Sequence, residues 1–200
     1  MKKSSLPALF IYLLVSGILA TLAMDTIALA LIANHLGNSV PYRIVPSLLG
    51  RWIGSMLEGK FVHSTILDTP ALPHEALLGI IAHYLIGITL TALILYPTRK
   101  LRHAPPSLRQ AMVFALGTCV LPYFVMFPAM GFGVFGLKQP EAVVRIVFSA
   151  VNHAAFGLGI FLWSNILGTL LAERLGFRDW KSRQPVLPSL NDDQHEQGAG

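Results

Sequence analysis

Long apolar segments alternate with short polar ones along this chain, and four of the apolar segments are long enough to cross a lipid bilayer. A membrane-spanning helix needs about 20 mainly apolar residues. The four segments cover about residues 8–33, 75–96, 110–130 and 142–171. This pattern predicts an all-α fold, an integral membrane bundle of four transmembrane helices.

A fifth segment, residues 44–58, carries a different helical pattern. Apolar residues recur every three or four positions from Ile44 to Leu57, while the opposite face carries Ser47, Arg51, Ser55 and Glu58. Such spacing is typical of an amphipathic helix. We therefore expect a short interfacial helix that lies on, or dips into, one face of the bundle.

Two of the spans have features that qualify this interpretation. The first follows Lys2 and Lys3 and resembles a signal peptide, but it is longer than the roughly 7–15 apolar residues of such a segment and contains Asp25. It is therefore predicted to be a retained helix. The third contains Pro122 and Pro128, which predict a kink.

Charge supports the membrane interpretation and gives an orientation. Charged residues make up 12% of the chain, against roughly 25% in ordinary globular domains. One side of the four-span arrangement holds most of the basic residues: Lys2, Lys3, Arg99, Lys100, Arg102, Arg109, Arg174, Arg178, Lys181 and Arg183. The side that is richer in Lys and Arg is cytoplasmic by the positive-inside rule, so both termini are predicted to be cytoplasmic.

The same distribution argues against nucleic acid as a partner. The net charge of +5 comes from basic residues beside apolar segments rather than from a basic stripe with interleaved aromatic residues. We expect the lipid bilayer as the main partner. Residues 1–176 are predicted to form the membrane domain, and residues 177–200, which lack an apolar period, a disordered cytoplasmic tail.

Ionisable residues interrupt the apolar spans at four positions: Asp25, His83, Arg145 and His153. A charge near the bilayer centre costs at least about 2.5–3.5 kcal/mol on insertion scales, so such residues usually face the bundle interior and pair. At a rise of about 1.5 Å per residue, Asp25, His83 and His153 lie roughly 12–16 Å from the same outer surface.

Small residues flank these three side chains at four-residue spacing: Gly17 and Thr21 before Asp25, Gly79 and Gly87 around His83, and Ser149 and Gly157 around His153. Such spacing marks the face on which helices approach closely. The three side chains are therefore expected to point toward one another. With the neighbouring amide of Asn152, they form a predicted intramembrane polar site of Asp25, His83, His153 and Asn152.

Several residues near the outer ends of the spans are candidates for the mouth of this site: Arg51, Trp52, Glu75, Tyr84, Gly131, Gly133 and Arg145. Arg51 would cap the polar site, although Trp and Arg beside a membrane also serve as interfacial anchors. The glycines would permit an irregular turn that lines a cavity, or only a plain turn. Arg145 would supply a counter-charge.

Three functions fit an Asp/His cluster inside a membrane. Histidine and carboxylate can carry protons, which favours proton or small-solute transfer. His83 and His153 could instead bind a metal or ligate a haem iron. The third interpretation is a packing or assembly subunit without chemistry. Because four helices make a narrow bundle, transport predicts a homo-oligomer, whereas metal binding needs one chain.

Other chemistry has less support. His63, Asp68, His74 and Glu75 form a donor-rich stretch whose spacing matches no zinc signature. The chain carries no ATPase, protease or oxidoreductase motif, so the sequence favours a protein that is not an enzyme.

The chain also resembles a known family. The matching pieces are Gly17–Asp25, Gly50–Trp52, Glu75 with His83 and Tyr84, Pro128–Gly133, and Asn152–Gly159. Together they resemble DUF2938, a family of bacterial inner-membrane proteins of unknown function. The resemblance implies a bacterial source, a multi-pass location in the inner membrane and a helical fold. It implies no activity.

Overall fold

The computed structural model describes residues 5–33 and 45–177, and all regular secondary structure among these residues is helical. Seven α-helices follow in chain order: α1 (Leu6–Ala33), α2 (Val45–Leu57), α3 (Glu75–Arg102), α4 (Leu108–Gly117), α5 (Phe127–Ala129), α6 (Ala142–Leu170) and α7 (Ala172–Leu175). Four stretches are long and apolar enough to cross a membrane, namely α1, α3, residues Leu108–Ala129, and α6. The predicted all-α fold of four membrane-length helices and one short amphipathic helix is confirmed.

The long helices pack as a row rather than as a closed square. Helix α1 packs against both α3 and α6, and α6 packs in turn against α4. Helices α3 and α4 follow each other in the chain, yet they lie at the two ends of this row. Glycines allow the close contacts: a Cβ on Gly17 would lie 2.6 Å from the Cα of Ile88, and one on Gly159 would lie 2.8 Å from the Cα of Ala20.

At one end of the bundle, which we call the basic end, α1 begins, α3 and α6 end and α4 begins. Exposed basic residues gather here: Lys100, Arg102, Arg109 and Arg174. Hydrogen bonds join the segments, from Arg99 Nε to the Leu175 carbonyl at 3.1 Å and from the Ser5 amide to the Arg174 carbonyl at 3.0 Å. Helix α4 begins in a capping box between Ser107 and Gln110, which satisfies backbone amides that a helix start leaves without partners.

At the opposite end, α2 packs directly on the first turns of α3. The backbones approach so closely that a Cβ on Gly50 would collide with the Glu75 carbonyl, and one on Gly79 with the Pro46 carbonyl. Helix α2 is therefore part of the bundle, and its buried face is not simply laid on a lipid surface. Its predicted first residue, at position 44, lies outside the described residues.

The third membrane-length stretch is not the single kinked helix that its two prolines predict. Helix α4 ends at Gly117, a π-helix runs from Leu121 to Met126, and the short α5 follows. Proline lacks an amide hydrogen, so a helix must rearrange its hydrogen bonds around it. Here the Phe127 amide donates to the Pro122 carbonyl, five residues back, which is the π-helical pattern.

The helix boundaries differ from the predicted ones by one or two residues, except at the end of α3. Helix α3 continues through Pro97 to Arg102, six residues beyond the predicted end of the apolar span. The apolar pattern marks only the part of a helix that crosses the membrane, and the basic last turns of α3 extend beyond that part. Helix α6 ends at Leu170, one residue before the predicted position, and α7 follows. The predicted cytoplasmic tail lies outside the described residues from position 178 onward.

Candidate functional site

Asp25 and His83 form a hydrogen-bonded pair between α1 and α3. The Oδ1 atom of Asp25 lies 2.9 Å from the Nε2 atom of His83. Their side chains remain 23% and 32% exposed, so the pair is partly and not completely enclosed. Close packing places it: a Cβ on Gly87, one helical turn beyond His83, would collide with Thr21, one turn before Asp25.

His153 lies on a different interface and makes no hydrogen bond with this pair. Its Nδ1 atom lies 2.8 Å from Thr118 Oγ1 and 3.2 Å from the Ala115 carbonyl oxygen, both on the α4 side of α6. The glycine pattern around His153 marks that contact, because a Cβ on Gly157 would lie 2.9 Å from the Cβ of Ala115. Of the three ionisable side chains that were expected to point toward one another, only Asp25 and His83 are joined by a hydrogen bond.

Both histidines nevertheless line one cavity of about 590 Å³. It lies between α3, the first helix of the row, and the π-helix that continues α4, the last helix of the row. Its walls come from α1, α3, the π-helix and α6, and α2 lies across one end. Most lining residues are apolar, among them Met24, Leu48, Trp52, Ile86, Leu90, Leu121, Val125, Met126, Phe127, Met130, Phe132, Phe148 and Phe156. The polar ones are Thr21, His83, Thr118, Gln139, Arg145, Ser149, Asn152 and His153. This volume is that of pockets for small organic molecules, about 300–1,000 Å³.

Asn152 is the most deeply buried of the predicted site residues. It is only 3% exposed, and it lines the cavity. Its Oδ1 atom has no hydrogen-bond partner within residues 5–33 and 45–177. A buried polar atom without a partner costs about 1–3 kcal/mol. The cavity wall therefore carries an amide oxygen to which no described group donates a hydrogen bond.

Arg51 and Glu75 form a second polar contact, which fastens α2 to the start of α3. Arg51 Nε and Nη2 each donate to one carboxylate oxygen of Glu75 at 2.8 Å, and Nη1 donates to the Thr69 carbonyl. Glu75 also accepts from the Leu72 amide. The side chains are 14% and 12% exposed. The hydrogen bond to Glu75 raises the pKa of Arg51 above its usual value, so the Arg51 guanidinium keeps its positive charge throughout the neutral pH range.

The other residues predicted for the mouth occupy separate places. Trp52 and Arg145 line the cavity, and the Trp52 indole donates to the Phe61 carbonyl at 3.0 Å. Tyr84 packs edge-on against His83, with 5.7 Å between the ring centres. Gly131 and Gly133 have positive φ angles of 84° and 75° and form the turn after α5, where Gly131 lies against the Ser64 carbonyl.

Among the described residues, no group of three or more His, Cys, Asp or Glu side chains converges as metal ligands would. His83 Nε2 and His153 Nδ1 already make hydrogen bonds to Asp25 and Thr118. The hypothesis that the two histidines bind a metal or a haem therefore gains no support from the arrangement of ligands.

Sequence reasoning missed four polar residues of the cavity wall as site residues: Thr21, Thr118, Gln139 and Ser149. Thr21 and Ser149 were considered only as small packing residues. Thr118 follows the last residue of α4, in a segment that reads as a continuous apolar helix, so no sequence signal distinguishes it. Gln139 lies in a connecting segment whose path the sequence does not predict.

The fold and the cavity together define a helical integral membrane protein with a small-molecule-sized cavity among its spanning helices. The chain belongs to the DUF2938 family, proteins of unknown function, whose family model matches residues 14–167. No curated protein and no solved structure matches the chain.

Proposed function

We propose that this protein transfers protons or a small solute through the membrane, and that the Asp25–His83 pair takes up and releases the proton. The observation that carries the proposal is the 2.9 Å contact of Asp25 with a histidine that lines the cavity. A carboxylate and an imidazole in one hydrogen bond can share a proton, and histidine is the side chain that ordinarily changes charge near neutral pH.

A purely structural role explains the pair less well. Hydrogen bonds between membrane helices contribute only about 0.6 kcal/mol on average, whereas a charged side chain in the bilayer costs several times more. Ionisable groups inside membranes therefore mark ion or proton pathways more often than simple packing contacts. The position of His83 on the cavity wall gives such a pathway an entry point.

The distribution of Lys and Arg supplies the orientation in this proposal. With both termini cytoplasmic, the cavity and α2 belong to the outer half of a bacterial inner membrane, and the tail after Phe177 is cytoplasmic. A green fluorescent protein fused after residue 200 is then expected to fluoresce. A fluorescent fusion at the loop between α2 and α3 would contradict this orientation.

Proton flux into liposomes tests the proposal directly. The protein is reconstituted with a pH-sensitive dye inside the vesicles, and a pH gradient is imposed. We expect dye response well above that of protein-free vesicles, and a loss of roughly tenfold or more in Asp25→Asn and His83→Asn, because a general acid–base group typically contributes at least about 100-fold to a proton-transfer step.

Matched controls are available on exposed surfaces of the same protein. Glu173→Gln removes a carboxylate from α7 and His103→Asn removes an imidazole beyond the end of α3, both at exposed positions. These variants should transfer protons as the wild type does. Flux equal to that of empty vesicles would reject proton transfer and favour the assembly subunit. Flux that survives in both Asp25→Asn and His83→Asn would reject the Asp25–His83 pair as the proton carrier.

A further inference from the structure

We infer that the cavity binds a largely apolar molecule that carries a hydroxyl group, and that this hydroxyl bonds to the side-chain amide of Asn152. The inference rests on the proposed function in one respect, since it names the class of solute. The binding itself is measured without any gradient.

The apolar part of the ligand follows from the cavity wall. The lining is mostly aliphatic, thioether and aromatic, with residues such as Leu48, Leu90, Val125, Met130 and Phe156. A charged or highly polar molecule would lose its hydration there without gaining enough hydrogen bonds. A molecule with an extended or ring-shaped hydrocarbon body would instead gain dispersion contacts over most of its surface.

The hydroxyl follows from the state of Asn152. Its Oδ1 atom is buried and lacks a donor among the described residues, so the ligand should bring a hydrogen-bond donor. A hydroxyl group suits an amide in either orientation, because it can donate to Oδ1 or accept from Nδ2. Thr118 and Ser149 also line the cavity, so its wall carries other groups that tolerate a hydroxyl.

The route of entry is the membrane-facing surface. Ile86 of α3 and Leu121 and Val125 of the π-helix line the cavity, yet they are 44%, 43% and 50% exposed. These side chains therefore lie at the rim of the cavity, on a surface that the spanning helices present to lipid. A molecule dissolved in the hydrocarbon phase can therefore pass between α3 and the π-helix into the cavity without first entering water.

Trp52 provides a reporter, since its ring lines the cavity. In a protein with Trp163→Phe and Trp180→Phe, Trp52 is the one remaining tryptophan of the three in the sequence. Bromine quenches indole fluorescence on contact. We therefore titrate the detergent-solubilised protein with 11-bromo-1-undecanol and, as a matched probe without the hydroxyl, with 1-bromoundecane. Tryptophan octyl ester in the same micelles corrects for unequal partitioning.

The alcohol is expected to quench Trp52 at a concentration roughly 3- to 10-fold lower than the bromoalkane, because one net hydrogen bond contributes about 0.5–1.5 kcal/mol and 1.4 kcal/mol is tenfold in affinity. Asn152→Leu should abolish this preference and leave quenching by the bromoalkane. Asn165→Leu changes an asparagine of the same helix that is not among the cavity-lining residues, and the preference should survive it.

A further variant keeps the test decisive if Asn152→Leu does not fold. Val125→Phe narrows the cavity without changing the amide, and it should weaken quenching by both probes. Equal quenching by alcohol and bromoalkane in the wild type would overturn the inference, and so would a preference that persists in Asn152→Leu. If the wild-type protein shows no proton flux but still prefers the alcohol to the bromoalkane, the proposed proton transfer is rejected and the binding inference stands.

Discussion

The same three helices, α1, α3 and α6, pack differently at the two ends of this bundle. Near the basic end, α1, α3 and α6 enclose a close-packed core in which Tyr12, Leu95 and Ile160 are fully buried. The Tyr12 ring packs edge-on against Phe177 at 5.9 Å. Toward α2 the same helices instead surround a cavity of about 590 Å³.

The forces that stabilise the two ends differ accordingly. Lipid chains are as apolar as leucine, so burial in a membrane protein stabilises through close packing rather than through transfer out of water. The basic end relies on this packing. At the α2 end the cavity interrupts this packing, and the contact between Arg51 and Glu75 fastens α2 to the start of α3. A region that surrounds a cavity can be stabilised by a few directional polar contacts at its edge.

The largest expected effect comes from breaking the polar contact. Arg51→Ala leaves the Glu75 carboxylate without its guanidinium partner in a mostly buried position, and removing one member of a buried pair costs about 3–5 kcal/mol. We expect a loss near 3 kcal/mol here, because both groups keep some exposure. Unfolding in detergent by increasing dodecyl sulfate, followed by circular dichroism, measures it.

Lys60→Ala is the control for this charge deletion. Lys60 lies 3.8 Å from Glu58, and both side chains are well exposed, so its removal should change stability by less than about 0.5 kcal/mol. Arg51→Lys should fall between the two, because lysine keeps the charge but cannot reproduce the two-pronged contact. If Arg51→Ala is as stable as Lys60→Ala, the ion pair does not hold α2.

The next effect should come from the packed core. Leu95→Ala leaves a void where neighbours cannot collapse, and such substitutions cost about 2–5 kcal/mol in water-soluble proteins. We expect about 2 kcal/mol, since the transfer contribution is small in a membrane. Leu121→Ala, at the rim of the cavity, should cost less than about 1 kcal/mol because the space beside it is already open.

The same dodecyl sulfate titration compares these two leucine variants. Equal losses for Leu95→Ala and Leu121→Ala would mean that the cavity wall is packed as tightly as the core. In that case, the contrast between the ends of the bundle would not describe the protein in solution.

The smallest effect tests the contact between α1 and α6. A Cβ at Gly159 would lie 2.8 Å from the Cα of Ala20, whereas one at Gly117 has open space around it. Overpacking costs about 1–3 kcal/mol, and α1 can shift slightly, so we expect Gly159→Ala to lose about 1–2 kcal/mol. Gly117→Ala should lose nothing, since alanine favours a helix over glycine. A loss for Gly117→Ala that equals the loss for Gly159→Ala would reject this explanation.

The sequence predicts the spans well because an apolar run of fixed length is what the bilayer requires. It also predicts α2, whose two faces differ strongly. It predicts the contact between Asp25 and His83 through the glycines around them. Small residues mark a close contact without naming the partner: Gly157 faces α4, and Gly79 faces α2. His153 therefore bonds to Thr118 rather than to the Asp25–His83 pair, although it lines the same cavity as His83.

The cavity and the π-helix are harder to predict, for a physical reason. Residues that face lipid and residues that face an apolar cavity have the same composition, so Val125 and Met126 carry no mark of their position. Pro122 predicts that the helix is disturbed, but whether the backbone bends or adopts a π-helix depends on neighbouring contacts. Tyr123, which donates to the Ile146 carbonyl at 2.8 Å, is one such contact.

The hydrogen bond between Asp25 and His83 has a consequence for how the protein is made. The two residues are 58 positions apart, and ribosomes add about 5–20 residues per second, so roughly 3–12 s separate their synthesis. During that interval the first helix carries an acidic residue that costs about 2.5–3.5 kcal/mol at the middle of a membrane helix. Until the next long helix arrives, this carboxyl lacks its histidine partner, and the apolar residues of the first helix must offset its cost.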